Sequence, residues 1–147
     1  MAFKKMNSAG YLINHMARLF AQGLRDEIAP LNLAPAQFMT LLELWNEEGL
    51  TQKDLVDRLD VEQATIANTI VRMERDGLIE RRSHPDDGRA RLIYVTDKAR
   101  LLETDATKSA MAINRNFLSA LSSDEQRQFI EFMQRVITSV KKINDQK

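Results

Sequence analysis

Residues 62–96, EQATIANTIVRMERDGLIERRSHPDDGRARLIYVT, constrain the fold more than any other stretch of the chain. Ile66, Ile70 and Met73 recur at three- and four-residue intervals, the spacing of one buried helix face. The opposite face carries Gln63, Thr65, Asn68, Thr69 and Arg72. Exposed helix faces are ordinarily filled by Lys and Glu, whereas amides and hydroxyls match the donors and acceptors along the major groove of DNA. Gly77 stands where a helix ends on a left-handed residue, and Leu78 follows to fold back onto Met73. Leu78–Arg82 and Arg91–Val95 are short β-prone runs on either side of Pro85-Asp86-Asp87-Gly88, a turn signal. This order predicts a recognition helix over 62–76 and a β-hairpin wing over 78–95.

The preceding residues supply the rest of such a unit. Ser8 is an acceptable N-cap for a first helix reaching Ile28, with Leu12, Met16, Leu19, Phe20, Leu24 and Ile28 as its apolar stripe and Pro30 as its stop. Ala34-Pro35 opens a second helix, whose buried face is Phe38, Leu41, Leu42 and Trp45 and whose end is Gly49. Thr51 caps a third, with Asp54 three positions on and Leu55, Val56 and Leu59 inside. A tight turn through Asp60-Val61 then enters the recognition helix, which is the spacing of a helix-turn-helix. Thr51, Gln52 and Lys53 lie at a helix N-terminus, where backbone N–H groups suit a phosphate; a simple cap is the equal alternative.

Beyond the wing, Thr96 caps a long helix reaching Leu121, with Leu102, Ala106, Ala110, Ile113 and Phe117 in line. Ser122 and Glu125 form a capping box for a last helix striped by Phe129, Phe132, Met133, Val136, Ile137, Val140 and Ile143. The first of this pair would extend roughly 36 Å at a rise of 1.5 Å per residue. That overhangs a small winged domain, and an identical subunit is the expected cover for the remaining apolar surface.

Composition narrows the function classes. A chain of 147 residues is one domain's worth with an appendage, and its formal net charge is zero. A nucleic-acid binder with that balance must segregate its positive charge. Arg72, Arg75, Arg81, Arg82, Arg89 and Arg91 cluster, yet Glu74, Glu80, Asp86 and Asp87 are interleaved among them. The absence of cysteine removes disulfides, thiolate catalysis and sulfur-built zinc sites. His15 and His84 stand apart, too few for a metal site, so neither metal nor cofactor is expected. No glycine-rich phosphate loop or Ser-His-Asp order is present, and Asp86-Asp87 belongs to a turn, which argues against an enzyme. The N-terminus lacks a signal-peptide pattern and no run approaches the roughly 20 apolar residues of a membrane span, so a cytoplasmic protein is expected.

Val71-Arg72-Met73-Glu74-Arg75-Asp76-Gly77-Leu78-Ile79-Glu80-Arg81 resembles the recognition-helix exit of the MarR family of bacterial transcription regulators. Asp87-Gly88-Arg89-Ala90-Arg91, followed by Val95-Thr96, resembles that family's wing, and the likeness extends over nearly the whole chain. The resemblance implies a mainly α fold with a small β-hairpin wing: a winged helix-turn-helix plus long N- and C-terminal dimerisation helices. Residues 1–32 would form the N-terminal dimerisation helix, 33–96 the DNA-binding region and 97–147 the C-terminal dimerisation helices.

The implied function is a sequence-specific regulator, a ligand-released homodimeric repressor on a pseudo-palindromic operator in double-stranded DNA. Thr51, Gln52, Lys53, Gln63, Ala64, Thr65, Asn68, Thr69 and Arg72 would face the DNA. At the wing, Arg89 would enter the minor groove, held by Asp87. A phenolic or aromatic-acid effector would sit in an apolar crevice between the dimer helices and the winged domain. Tyr11, His15, Met16, Arg18, Phe20, Phe38, Met39, Trp45 and Met111 are its candidate lining, although core packing is the plainer role for the aromatic and methionine residues. The sequence departs from the family at Asp60, where glycine is usual, at Glu62, where serine or aspartate is usual, and at Asn68, where many members carry arginine. The alternative is a winged helix serving as a protein-interaction module, which salt-dependent DNA binding would distinguish.

Overall fold

Ser8 begins the helical part of the chain: its hydroxyl accepts a hydrogen bond from Tyr11 N–H at 3.4 Å, and α1 follows over Ala9–Ile28. The computed structural model describes residues 1–147, in which Met1–Ile113 form one compact unit and Asn114–Lys147 a second. Of the stripe expected on α1, Ile28 is buried and Leu24 packs on the core, while Leu12 and Leu19 stay exposed. The α-helix ends at Ile28, as expected from Pro30. That proline sits inside a 3₁₀ turn, Ala29–Leu31, and the chain reverses at Asn32, a left-handed residue with φ 57°.

Helix α2 (Pro35–Asn46) carries proline in its first turn, where no N–H is needed. Phe38, Leu41 and Leu44 are its buried apolar residues. Leu42, expected inside, is 37% exposed, because the period that buries positions 38, 41 and 44 turns position 42 to the side. Helix α3 (Gln52–Leu59) opens on a full capping box: Thr51 Oγ1 accepts from Asp54 N–H at 3.1 Å, and the Asp54 carboxylate accepts from Thr51 N–H at 2.9 Å. That second bond holds the Asp54 carboxyl below its ordinary pKa. Asp60, left-handed at φ 51°, makes the turn out of α3.

Helix α4 (Gln63–Arg75) starts without a side-chain cap, as Glu62 foreshadows. It ends in a Schellman motif: Leu78 N–H donates to Met73 C=O at 2.9 Å and Gly77 N–H to Glu74 C=O at 3.1 Å, with Gly77 at φ 72°. Strands β1 (Ile79–Ser83) and β2 (Arg91–Val95) pair antiparallel, from Ile79 opposite Val95 to Ser83 opposite Arg91. Ile93 also exchanges bonds with the α2–α3 connection, donating to Leu50 C=O at 2.8 Å and accepting from Gly49 N–H at 2.9 Å. The wing root is thereby a small three-segment ladder and not a free hairpin.

Thr96 joins the wing to α5 (Asp97–Phe117): its hydroxyl donates to Gly77 C=O at 2.6 Å and accepts from Ala99 N–H at 3.3 Å. The core gathers Ile28, Phe38, Leu41, Leu44, Leu55, Ile66, Ile70, Met73, Leu78, Ile79, Ile93 and Ala99 from the helices and both strands introduced so far. Each of the larger side chains contributes about 1.5–3 kcal/mol by leaving water. Trp45 Nε1–H donates to Ala99 C=O at 3.2 Å, fixing α2 against the start of α5.

In the second unit, α5 ends at Phe117, one turn before the expected Leu121. Leu121 N–H closes a turn onto Leu118 C=O at 2.9 Å, and Gln126 Nε2 donates to the carbonyls of Leu118 and Leu121, both at 3.0 Å. Helix α6 (Ser123–Asp145) follows on the Ser122–Glu125 capping box. Its stripe is amphipathic but uncovered: Phe132, Met133, Val136, Ile137, Val140 and Ile143 are all exposed. No helix is long and apolar enough to cross a membrane.

Candidate nucleic-acid interface

An α-helix turns about 100° per residue, so the buried residues of α4 define what its other side presents. Ile66, Thr69, Ile70 and Met73 face inward. Ala64, Asn68, Val71 and Arg75 therefore run down the centre of the outward face, with Thr65 and Arg72 on one flank and Gln63 on the other; all seven are exposed.

Thr69 corrects the sequence reading. It is 6% exposed and its hydroxyl donates to Thr65 C=O at 2.8 Å, so its side chain is engaged within the fold. Position 69 lies three residues after Ile66 and belongs to the inner face by the same spacing that buries Met73. Val71 is the complementary omission. At 59% exposure it is the one large apolar side chain of α4 left in solvent. Its place seven residues after Ala64 was the available signal, because a residue two turns on returns to the same face.

The start of α3 is a weaker feature. Thr51 and Gln52 are half-buried, and the Thr51 hydroxyl is already taken by Asp54 N–H. The first-turn N–H groups of Gln52 and Lys53 have no partner within the helix and remain suited to a phosphate. Lys53 is exposed, with Asp57 at 4.0 Å in a solvated pair that contributes little.

Charge segregation, left open by the sequence, is decided by pairing. Arg75 binds Asp76 at 3.0 Å, Arg81 lies 3.3 Å from Glu74, and Arg82 binds Glu80 at 2.5 Å while stacking 4.0 Å over the Tyr94 ring. Arg72 and Arg89 have no carboxylate partner, and Arg91 donates to the neutral Ser83 hydroxyl at 3.1 Å. The arginines without a carboxylate partner are thus on the flank of α4 and along the distal part of the wing, where Asp86 and Asp87 also lie.

The wing tip is ordered by its own side chains. Asp86 N–H donates to His84 Nδ1 at 3.0 Å, and Arg89 N–H donates to Asp87 Oδ1 at 3.0 Å. Here too the expectation is amended: Asp87 holds the backbone of Arg89 and not its guanidinium, which extends into solvent. His84 likewise shapes the turn through its ring nitrogen.

The candidate effector residues divide by burial. Tyr11 and His15 touch edge to face on α1, at a centroid distance of 6.2 Å. Phe38 packs edge to face on Trp45, also at 6.2 Å, and both belong to the core. Met16 and Phe20 are half-buried, while Arg18, Met39 and Met111 are exposed. A cleft of about 530 Å³ opens instead between Pro30, Leu31, Asn32, Asp76, Leu78, Lys98 and Leu102. A second, of about 440 Å³, lies beside it and is lined by Gln37, Thr69, Arg72, Arg75 and Asp76 among others. Neither includes any of the residues chosen for the effector.

Comparison with known proteins places this geometry. The MarR family model matches residues 33–90, which hold α2 to the wing tip. The organic hydroperoxide resistance transcriptional regulator of Bacillus subtilis (strain 168) is 31% identical over 103 residues, which cover 70% of each chain. A MarR transcriptional regulator from Methanosarcina mazei Go1 superimposes with a TM-score of 0.86 at 25% identity, over 91% of this chain and 96% of that one. The PcaV transcriptional regulator from Streptomyces coelicolor, solved in complex with its natural ligand, shares the fold with a TM-score of 0.81 at 24% identity, over 95% and 99% of the two chains. With its recognition helix, its wing and its arginines without a carboxylate partner in these positions, the chain belongs to the MarR family of DNA-binding transcription regulators.

Proposed function

We propose that this regulator is a homodimer that reads a pseudo-palindromic operator and leaves it when a small molecule binds. The observation that carries the reading is the outward face of α4, polar around Asn68 and bordered by Arg72, which no carboxylate neutralises. Gln63 and Asn68 offer amides of the kind that pair with adenine in the major groove. Arg89, at the tip of a self-ordered wing, matches the narrow minor groove of A·T-rich DNA, where negative potential concentrates. Arg72 and the start of α3 supply phosphate contacts, which fix register without reading sequence.

Residues 1–32 and 97–147 serve as the dimerisation helices in this reading. Its support is the apolar surface left open on Leu12, Ile13 and Leu19 of α1 and along α6. Two α4 helices related by a two-fold axis would meet half-sites one helical turn apart, roughly 34 Å. The trigger is assigned to a bound phenolic or aromatic-acid effector. PcaV is a precedent for a ligand-bound member of the fold. The Bacillus relative is named for organic hydroperoxide resistance, but this chain has no cysteine, so oxidation of a thiol is not available to it. An effector releases DNA only if it binds the non-DNA arrangement of the two lobes more tightly.

Fluorescence anisotropy on fragments of the gene's own upstream DNA, at several salt concentrations, tests the reading. Tight binding to one fragment, a steep salt slope and release by an aromatic acid are expected. Equal and weak binding to every fragment would remove the operator claim.

A further inference from the structure

Ala64 and Val71 are separated by two helical turns and lie on the same line of α4, with Asn68 between them. Val71 is 59% exposed and is the one large apolar side chain on the outward face of α4. Asn68, one turn before it, and Arg72, beside it, are exposed and suited to nucleic acid, while Glu74 and Arg75 on its C-terminal side are ion-paired with Arg81 and Asp76. The apolar spot is therefore continuous with the candidate DNA-facing surface on its N-terminal side. In the major groove, one base alone carries an apolar group at its edge: thymine, with its C5 methyl.

We infer that Val71 is a specificity-determining residue that reads a thymine methyl in each half-site, with Ala64 leaving room for a second. The inference rests on the operator-reading function proposed above and adds a base identity to it. The two side chains stand about 10 Å apart along the helix axis at 1.5 Å per residue, so they meet different base pairs. Asn68, between them, is placed for the amide-to-adenine pairing. Val71 lies two residues before Met73 on a helix anchored by the Schellman motif, so its position on the face does not depend on a mobile terminus.

Replacing thymine by deoxyuridine, one position at a time in the bound fragment, removes the methyl and leaves base pairing unchanged. Anisotropy would be measured for wild type, Val71→Ala and Val71→Thr. One thymine per half-site is expected whose replacement weakens wild type about fourfold, the equivalent of one methyl-sized group leaving water. The same replacement should leave Val71→Ala unaffected, because its contact is already gone. Val71→Thr, which keeps a branched methyl, should retain part of the sensitivity. Since the side chain is exposed, a thermal melt of each variant should match wild type. If wild type binds one fragment specifically but no thymine distinguishes it from Val71→Ala, this inference falls and the operator reading stands. If wild type shows no specific fragment at all, both fall together.

Discussion

Gln37 and Asp76 meet across 39 residues of sequence: the amide Nε2–H of Gln37 donates to Asp76 Oδ2 at 2.9 Å. The pair ties the first turn of α2 to the C-terminus of the recognition helix. Asp76 also accepts from Arg75 on its carboxylate and from Lys98 Nζ on its backbone carbonyl, at 2.8 Å. Three helices thus converge on the residue at which α4 stops. The other oxygen-bearing end of Gln37, Oε1, accepts from Ala34 N–H at 3.0 Å, so the buried amide is used at both ends.

Gln37→Ala should accordingly destabilise the protein by about 1–3 kcal/mol, since it strands a backbone N–H and removes a donor from a charged acceptor. A urea melt would show a lower midpoint with an unchanged slope. An unshifted midpoint would mean that water replaces the amide without loss.

Acid should weaken the same junction. The Asp76 carboxyl is held below its ordinary pKa by Arg75 and then by Gln37, and Asp54 is held down by the Thr51 backbone N–H. In the unfolded chain both return to the ordinary value near 4, so there the unfolded state binds more protons. Their stabilisation is complete above about pH 4 and declines as pH falls through the lowered folded-state values. Asp76→Asn keeps an acceptor for Gln37 but cannot titrate. Urea melts from pH 7 downward should show the gap between wild type and Asp76→Asn narrowing below about pH 4. Parallel curves would exclude Asp76 as a contributor.

Arginine pairing makes a prediction about salt. Arg89→Ala should reduce the magnitude of the log-affinity against log-salt slope by about one, as expected when one phosphate-region cation is removed. Arg82→Ala should leave the slope unchanged, because Glu80 already neutralises that guanidinium and Tyr94 stacks beneath it. Equal slopes for the two variants would show that pairing in the free protein does not govern which arginines meet DNA.

Much of this arrangement is legible in the sequence where the signal is local. Ser8, Thr51 and Ser122 cap helices where their residue types and spacing place them, and Gly77 adopts the left-handed conformation that its position after Met73 demands. The candidate interface is legible in part. Gln63, Ala64, Thr65, Asn68 and Arg72 are exposed as their spacing implies, but Thr69 was judged by its hydroxyl and not by its distance from Ile66. Val71 is the converse case, an apolar type on a solvent-facing position. What the sequence withholds is nonlocal or rotameric. Gln37 finding Asp76, Arg82 finding Glu80 and Asp87 turning to the Arg89 N–H each depend on how elements pack or on one side-chain torsion, for which no periodicity exists.

Two left-handed glycines separate backbone strain from contact. Gly77, at φ 72°, has open space where a Cβ would go; Gly49, at φ 77°, would place one 3.1 Å from the Tyr94 hydroxyl. Gly77→Ala should cost about 1–2 kcal/mol from the left-handed backbone alone. Gly49→Ala should cost more, and Tyr94→Phe in the same chain should recover the excess but not the remainder. If the two single variants melt together, the tyrosine yields freely and the contact carries no penalty.

The uncovered stripe of α6 gives the last test, of assembly. Ile137 and Val140 are exposed in the single chain and bracket the middle of the stripe, so charging them need not disturb any packing within it. In a dimer the same positions would be enclosed, where an unpaired ammonium is strongly disfavoured. Wild type should sediment at twice the chain mass and its melting temperature should rise with concentration, since association stabilises by mass action. Ile137→Lys combined with Val140→Lys should sediment as single chains, lose the concentration dependence and bind the operator more weakly through loss of the second recognition helix. A wild type that remains single at micromolar concentration, or a doubly charged variant that still pairs, would move the dimer contact off α6. Only the first of these results would also remove the two-fold basis for a palindromic operator.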